Sequence, residues 1–446
     1  MTVVGKSWPK MTNREEFRFL SDVVLTRSSA EHTIVSLRDH HAGTTRFANN
    51  QVIQNVDARR GVLTVTVAFG GRRGAASTTD FTAGAVQDTV ARAERIARVS
   101  PVDPEYLPPP DPCSFPVRET AKPETMAAGP ARRLEYTNEA IGQCRMENLM
   151  AAGIVSSSTT AVGIAANNGL FGHEYRADAR FSLTVQAGDA TGWSAAAHRS
   201  IDHLRVQERT LTAIKKAKGC REVQELPAGR YAVILEPSAV AGLWAWLIWS
   251  LDAKAQAKGT SPFAGRLGQV IVDERLSLRN TPEHPDLLGE GFTAEGVPSS
   301  ASVWIDHGVL QQLAYDRFTA KTQGINPIPT LEAPALSVEG LPMASMQDLI
   351  KNTERAILVT NFWYIRPVNP RELMLTGMTR DGTFLVEKGE VVSAIRNFRF
   401  HASPLQAFRQ ITTWTRPLEA VNAETGKMLV PAMALPDFHF SSVTRF

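Results

Sequence analysis

Hydrophobic and polar positions change rhythm several times along the chain. EEFRFLSDVVL, residues 15–25, recurs at helical spacing, with Thr12 and Glu15 placed as a capping box. HTIVSLRD, TRFANNQVIQN and VLTVTVAFGG then alternate as strands do. A second helix follows Asp80, with Val86, Val90, Ala93, Ile96 and Ala97 on one face. After a gap come a helix from about Pro130 to Ala152, strands in IVSSSTTAVGIAANNG and RFSLTVQA, and a long helix from about Ala195 to Lys218. The gap is SPVDPEYLPPPDPCSFP, residues 100–116, whose seven prolines exclude helix and central strand. It predicts an extended surface connector.

Ala48-Asn49-Asn50 and Ala166-Asn167-Asn168 each precede an alternating strand and then a helix. That spacing suggests an internal duplication of a strand–turn–strand–helix unit. Beyond about residue 225 the texture changes. YAVILEP reads as a short buried strand leading into a helix over about 238–256. Later strands are broken by Asp306-His307-Gly308, Arg380-Asp381-Gly382 and Glu387-Lys388-Gly389, where glycine supplies the positive φ of hairpins. A short helix is expected near 344–355. The whole predicts an α+β protein in two domains. Residues 1–225 form a sandwich-like α/β sheet with long helices, and residues 226–446 a mainly antiparallel sheet or barrel.

Composition narrows the function. A length of 446 residues favours more than one core. A net charge of +3, with only short basic groups at Arg72-Arg73 and Lys215-Lys216, does not predict nucleic-acid binding. Three scattered cysteines make no disulfide framework or CxxC pair, the N-terminus lacks a signal-peptide core, and the apolar run Ala239–Leu251 is too short to span a bilayer. These features predict a cytoplasmic protein with no membrane contact.

Candidate chemistry is sparse. No Walker A, GxSxG or SxxK pattern occurs. The loop Gly70–Thr78 has backbone N–H groups for an anion, but a plain connector accounts for it as well. His198 and His203, five apart on the predicted helix, sit poorly for chelation and read as surface residues. The segment GLWAWLIWSLDAKAQAKGTSPF carries three of the eight tryptophans and no acid, base or ligand before Asp252. No cofactor and no metal site is predicted from the residues themselves.

RFANNQVIQ, YAVILEP, KGTSPFAGRLGQ, EGVPSSASVWIDHGVL and DGTFLVEKGEVVSAIRNFRF occur in one order. Together they resemble the TldD/PmbA family (PmbA is also called TldE), long labelled modulators of DNA gyrase. The resemblance implies a relation to zinc peptidases that cut unfolded or extended peptides in a clam-like chamber. Their zinc is held by two histidines of an HExxxH helix and a late cysteine, with the glutamate as general base. Counted back from Lys258, Gly259, Thr260 and Ser261, which would border a peptide groove, those positions fall on Trp244, Ala245 and Trp249. The cysteine falls near Asn422 or Ala423. The resemblance thus implies a PmbA/TldE-like chain without catalytic or metal residues, partnered by a TldD-like peptidase subunit or by itself as a dimer. Two alternatives stand beside it: a hydrolase using Ser261, Asp252 or His307, and a homodimeric binder of extended peptides.

Overall fold

The computed structural model describes residues 10–219, 223–287, 289–421 and 426–444. The first elements in chain order are α1 (Arg14–Arg27), β1 (His32–Ala48), β2 (Gln51–Phe69), β3 (Arg72–Thr78) and α2 (Ala83–Val99). A one-turn α3 (Pro123–Met126), α4 (Pro130–Met146), β4 (Met150–Ala166), β5 (Phe171–Ala187), β6 (Ala190–His198) and α5 (Val206–Gly219) follow. The strands make one antiparallel sheet in the order β3-β2-β1-β4-β5-β6.

The duplication is real in three dimensions. β1 and β4 are both 17 residues long and begin 118 positions apart, at His32 and Met150. β3 and β6 begin at the same separation, at Arg72 and Ala190. The hairpin turns are tied down alike: Asn50 exchanges hydrogen bonds with Ala151, and Asn167 with Thr33. Asn49 and Asn50 both have positive φ, which asparagine tolerates better than most residues. In each half a glycine lets a helix lie flat on the outermost strand. A β-carbon on Gly74 would stand 2.2 Å from the Ala93 carbonyl oxygen, and one on Gly192 2.2 Å from that of Ala213. Backbone cannot retreat as a side-chain tip can. Gly74→Ala and Gly192→Ala are each expected to destabilise the protein by about 1–3 kcal/mol, read as a lower thermal midpoint.

The sheet centre holds a buried charge network. Arg133, on α4, is fully buried. It donates to Asp57 Oδ2 at 2.6 Å and to Ser157 Oγ at 3.1 Å, while His41 Nε2 contacts the other Asp57 oxygen. Gly43 makes the room, since a β-carbon there would lie 2.1 Å from the guanidinium carbon. Nearby, Asp39 accepts from Arg59 and from both the backbone N–H and the hydroxyl of Thr12. These bonds, together with the Arg59 charge, outweigh burial and hold its carboxyl below the usual range.

The remaining chain opens with β7 (Val223–Gln224), β8 (Gly229–Leu235), α6 (Pro237–Trp249) and α7 (Ala253–Ala257). It builds a six-stranded sheet and a mixed ten-stranded sheet with β8 near its middle. β8 runs parallel to Arg355–Val359 and antiparallel to Met433–Val443. α6 lies in one apolar cluster with residues of both sheets, among them Leu278, Trp304, Val359 and Phe438.

Several local expectations shift. The α1 capping box is Asn13 with Glu16, one residue later than expected, because Thr12 is spent on Asp39. Asp80 does not cap α2; its carboxylate accepts from the Thr82 N–H, and Thr82 is the N-cap. Arg72–Thr78 is strand, not an anion-binding loop. The long helix expected from Ala195 is instead the end of β6, a 3-10 turn at Ile201–Leu204 and then α5. α4 ends at Met146, and Met150 already begins a strand. The helix over 238–256 is two helices, separated where Leu251 and Ala253 exchange backbone hydrogen bonds with Ala314 and Asp252 caps α7. Hairpins form at His307-Gly308 and Lys388-Gly389, but the strands flanking Arg380–Gly382 do not pair with each other.

Candidate functional site

α6 is the element on which the chemistry turns, and its sequence explains its position. Pro237 pre-sets φ in the first turn, and Glu236 before it accepts from Lys216 Nζ at 2.7 Å. The helix, PSAVAGLWAWLIW, has no histidine, cysteine, aspartate or glutamate. Trp244 is fully buried, with its ring 5.5 Å from that of Phe408, and among the described residues its indole N–H has no hydrogen-bond partner. Ala245 is buried as well. An indole N–H donates and has no lone pair for a metal, and a methyl group cannot take a proton from water. The residues at these positions therefore do not fit a zinc ion, and no step through one is derived. Among the described residues no three side chains of ligand type converge elsewhere either.

The tryptophans do not all sink inward as an all-round apolar helix would suggest. Trp249 is 54% exposed and meets Trp246 edge-on at 5.1 Å between ring centres. The following loop is built for support. Gly259 turns with φ +66°, Thr260 Oγ1 donates to the Ala255 carbonyl, and Ser261 Oγ donates to the Ser250 carbonyl while accepting from the Phe263 N–H. With Ser261 buried and its hydroxyl so engaged, it makes no hydrogen bond to a histidine among the described residues. Asp252 is an N-cap, and His307 sits in a hairpin turn beside Asp306 and Glu339. The three residues of the alternative hydrolase are thus each committed locally. Asn422 and Ala423, where the late cysteine would align, lie outside the described residues.

The opposite end of α6 faces a cavity of about 1020 Å³. Its walls come from both parts of the chain: β6 and α5 on one side, Glu236–Ser238, Pro282–Asp286 and Pro417–Glu419 on the other. Arg118 and Arg199 bridge the parts, donating to the carbonyls of Glu290 and Gly289. His198 and His203, read from sequence as surface residues, meet edge-on in this wall with ring centres 4.6 Å apart. His198 Nδ1 accepts from the Ser200 N–H, and burial lowers its pKa. None of this was legible in sequence, because the contributing segments run from Val117 to Leu429.

Beside the cavity, Lys427 is a fully buried ammonium 3.6 Å from Glu419, too far for a hydrogen bond. Burial drives its pKa below the ordinary 10.5. The folded chain therefore holds this proton less tightly than the unfolded chain, and stability rises with pH in the window below 10.5. Lys427→Met is expected to remove that slope and to raise stability at pH 7 by about 1–2 kcal/mol, measured by urea unfolding across pH.

This arrangement, a duplicated antiparallel sheet joined to two further sheets that enclose one apolar helix, defines a class. Residues 228–442 match the PmbA/TldA metallopeptidase C-terminal domain and residues 35–97 match PmbA/TldA metallopeptidase domain 1. The chain belongs to the TldD/PmbA family. TldE from Thermococcus kodakarensis superposes with a TM-score of 0.84 at 19% identity, covering 95% of this chain and 98% of that one. A putative modulator of DNA gyrase from Thermotoga maritima gives 0.83 at 18%, covering 95% and 99%. At that identity the likeness speaks for the fold. The metalloprotease TldD homolog of Buchnera aphidicola is 23% identical over 226 residues, 47% of this chain and 45% of the relative. The chain thus spans less than half the length of that curated relative. No helix among the described residues is long and apolar enough to cross a membrane.

Proposed function

We propose that this chain is a non-catalytic, PmbA/TldE-like subunit that assists a TldD-like peptidase in cutting unfolded or extended peptides. The observation that carries the reading is α6. Where the family's zinc helix has histidine, glutamate and histidine, this helix has Trp244, Ala245 and Trp249. Trp244 fills its site as packing, and the exposed Trp249, edge-on against the half-buried Trp246, offers an apolar ledge for a peptide or for the partner's groove. The loop Lys258–Ser261 follows that ledge within one short helix and would border the same groove. The chain acts in the cytoplasm, with residues 1–225 and 226–446 as its two domains.

The purified chain alone is expected to carry less than a tenth of an equivalent of zinc and to leave an unstructured peptide uncut. Added to a TldD-like chain bearing the complete HExxxH and cysteine set, it should copurify and raise peptide cleavage at least tenfold. Stoichiometric zinc, with cleavage by the isolated chain that a chelator abolishes, overturns the reading. So does a failure to bind or stimulate any such partner.

A further inference from the structure

The one-turn helix Pro404–Ala407 separates the later core from a second, smaller cavity. On its inner side Leu405 and Phe408 are buried, and the Phe408 ring meets Trp244. On its outer side Gln406 and Arg409 are exposed and line a cavity of about 370 Å³. Arg266, Arg371, Glu372 and Ser403 line the same cavity. Arginines from three distant stretches of chain thus share one wall.

Each stands on backbone that is tied down. Arg266 donates its N–H to the Phe263 carbonyl in a turn where Gly265 has φ +68°. Asn369 caps the Arg371 N–H, and Ser403 Oγ donates to the Glu372 carbonyl at 2.8 Å, fixing that turn against the helix. Asp273 brackets the Arg409 stretch, donating its N–H to the Phe408 carbonyl and accepting from the Ile411 N–H. Among the described residues none of the three guanidiniums forms an ion pair. Arginines close by are treated differently. Arg275 holds Asp273 at 2.7 Å, which spends that acid although Arg409 also borders its cavity, together with the exposed Glu274. Arg230 holds Asp437, in an adjoining cavity that shares Ser403 and Gln406. Like charges grouped on rigid backbone without counterions form a field that favours an anion.

We propose that this cavity binds the phosphoryl group of a small phosphomonoester, held by Arg266, Arg371 and Arg409 with Gln406 beside it. Three guanidiniums against the one carboxylate of Glu372 leave the wall at +2. A phosphomonoester carries about −1.5 to −2 charges at pH 7 and three strong acceptor oxygens. The arginine fork matches such oxygens two at a time. The volume lies within the range of small-molecule pockets and leaves room for the organic part of the ester. The proposal does not rest on the reading of α6, and it needs neither a metal nor an acid–base group.

Isothermal titration of the full chain with ribose 5-phosphate at low ionic strength should give one site with a Kd of about 100 µM or tighter, and ribose should give no heat. Arg371→Gln and Arg409→Gln should each weaken binding by about tenfold, as expected for one charge-assisted contact. Glu372→Gln should tighten it. Arg230→Gln, on the paired arginine next door, should leave it within about twofold. All four positions are exposed, so the variants should keep the wild-type melting profile. No binding at millimolar ester, an affinity unchanged when Arg371→Gln and Arg409→Gln are combined, or an equal loss from Arg230→Gln each overturns the proposal. Inorganic phosphate binding as tightly as the ester overturns the assignment to an ester. Zinc content and peptide cleavage are untouched by these variants, so failure here leaves the proposed subunit role standing.

Discussion

Trp244→Ala is expected to lower the free energy of unfolding by about 3–5 kcal/mol, the range for deleting a large aromatic side chain from a core that closes only partly around the gap. Trp244 has no exposed surface and lies in the cluster where α6 meets both sheets of the later half. Among the described residues its indole N–H has no partner whose loss would add to the cost, so Trp244→Phe should recover a good part of it. Trp249→Ala is the control. With 54% of its surface in water it should change stability by about 0.5 kcal/mol or less. Urea unfolding followed by far-UV circular dichroism separates the two. Equal costs would mean that α6 is not anchored by its middle turn.

The second large effect is expected at Arg133. Among the described residues, removing its side chain leaves Asp57 with His41 as its remaining side-chain partner, within the first sheet. Breaking a buried pair from one side costs about 3–5 kcal/mol, because the surviving charge loses its compensation. Arg133→Ala should therefore unfold at markedly lower urea. Arg133→Met combined with Asp57→Leu should regain much of the loss, since replacing both partners by apolar groups abolishes the uncompensated charge. If the double variant is as unstable as the single one, packing against Gly43, not charge, is what Arg133 supplies.

Strong periodicity made much of this architecture legible. The strands of the first sheet, α1, α2 and the strand running into α6 all follow alternation or helical spacing in the sequence. The duplication could be suspected from two Asn-Asn turns and is fixed by the shared 118-residue offset. Misreadings arose where local preference and tertiary context disagree. Ala195, Ala196 and Ala197 favour helix by themselves, yet they are strand residues beside β5. Arg205 adopts φ +48° and resets the chain before α5, which no propensity announces. The open apolar run of α6 concealed that Trp249 faces outward. The cavity was invisible for a simpler reason: it is made by segments that meet only once the two parts of the chain are stapled together by Arg118 and Arg199.

The seam of the first sheet also bears on how the protein is made. β1 pairs along nearly its whole length with β4, which leaves the ribosome only after the proline connector and α4 have emerged. At ordinary synthesis rates of ~5–20 residues per second, the nascent hairpin waits several seconds with one flank of β1 unsatisfied. The length of that exposure is set by how fast the connector and α4 are translated, and faster synthesis of this stretch shortens it.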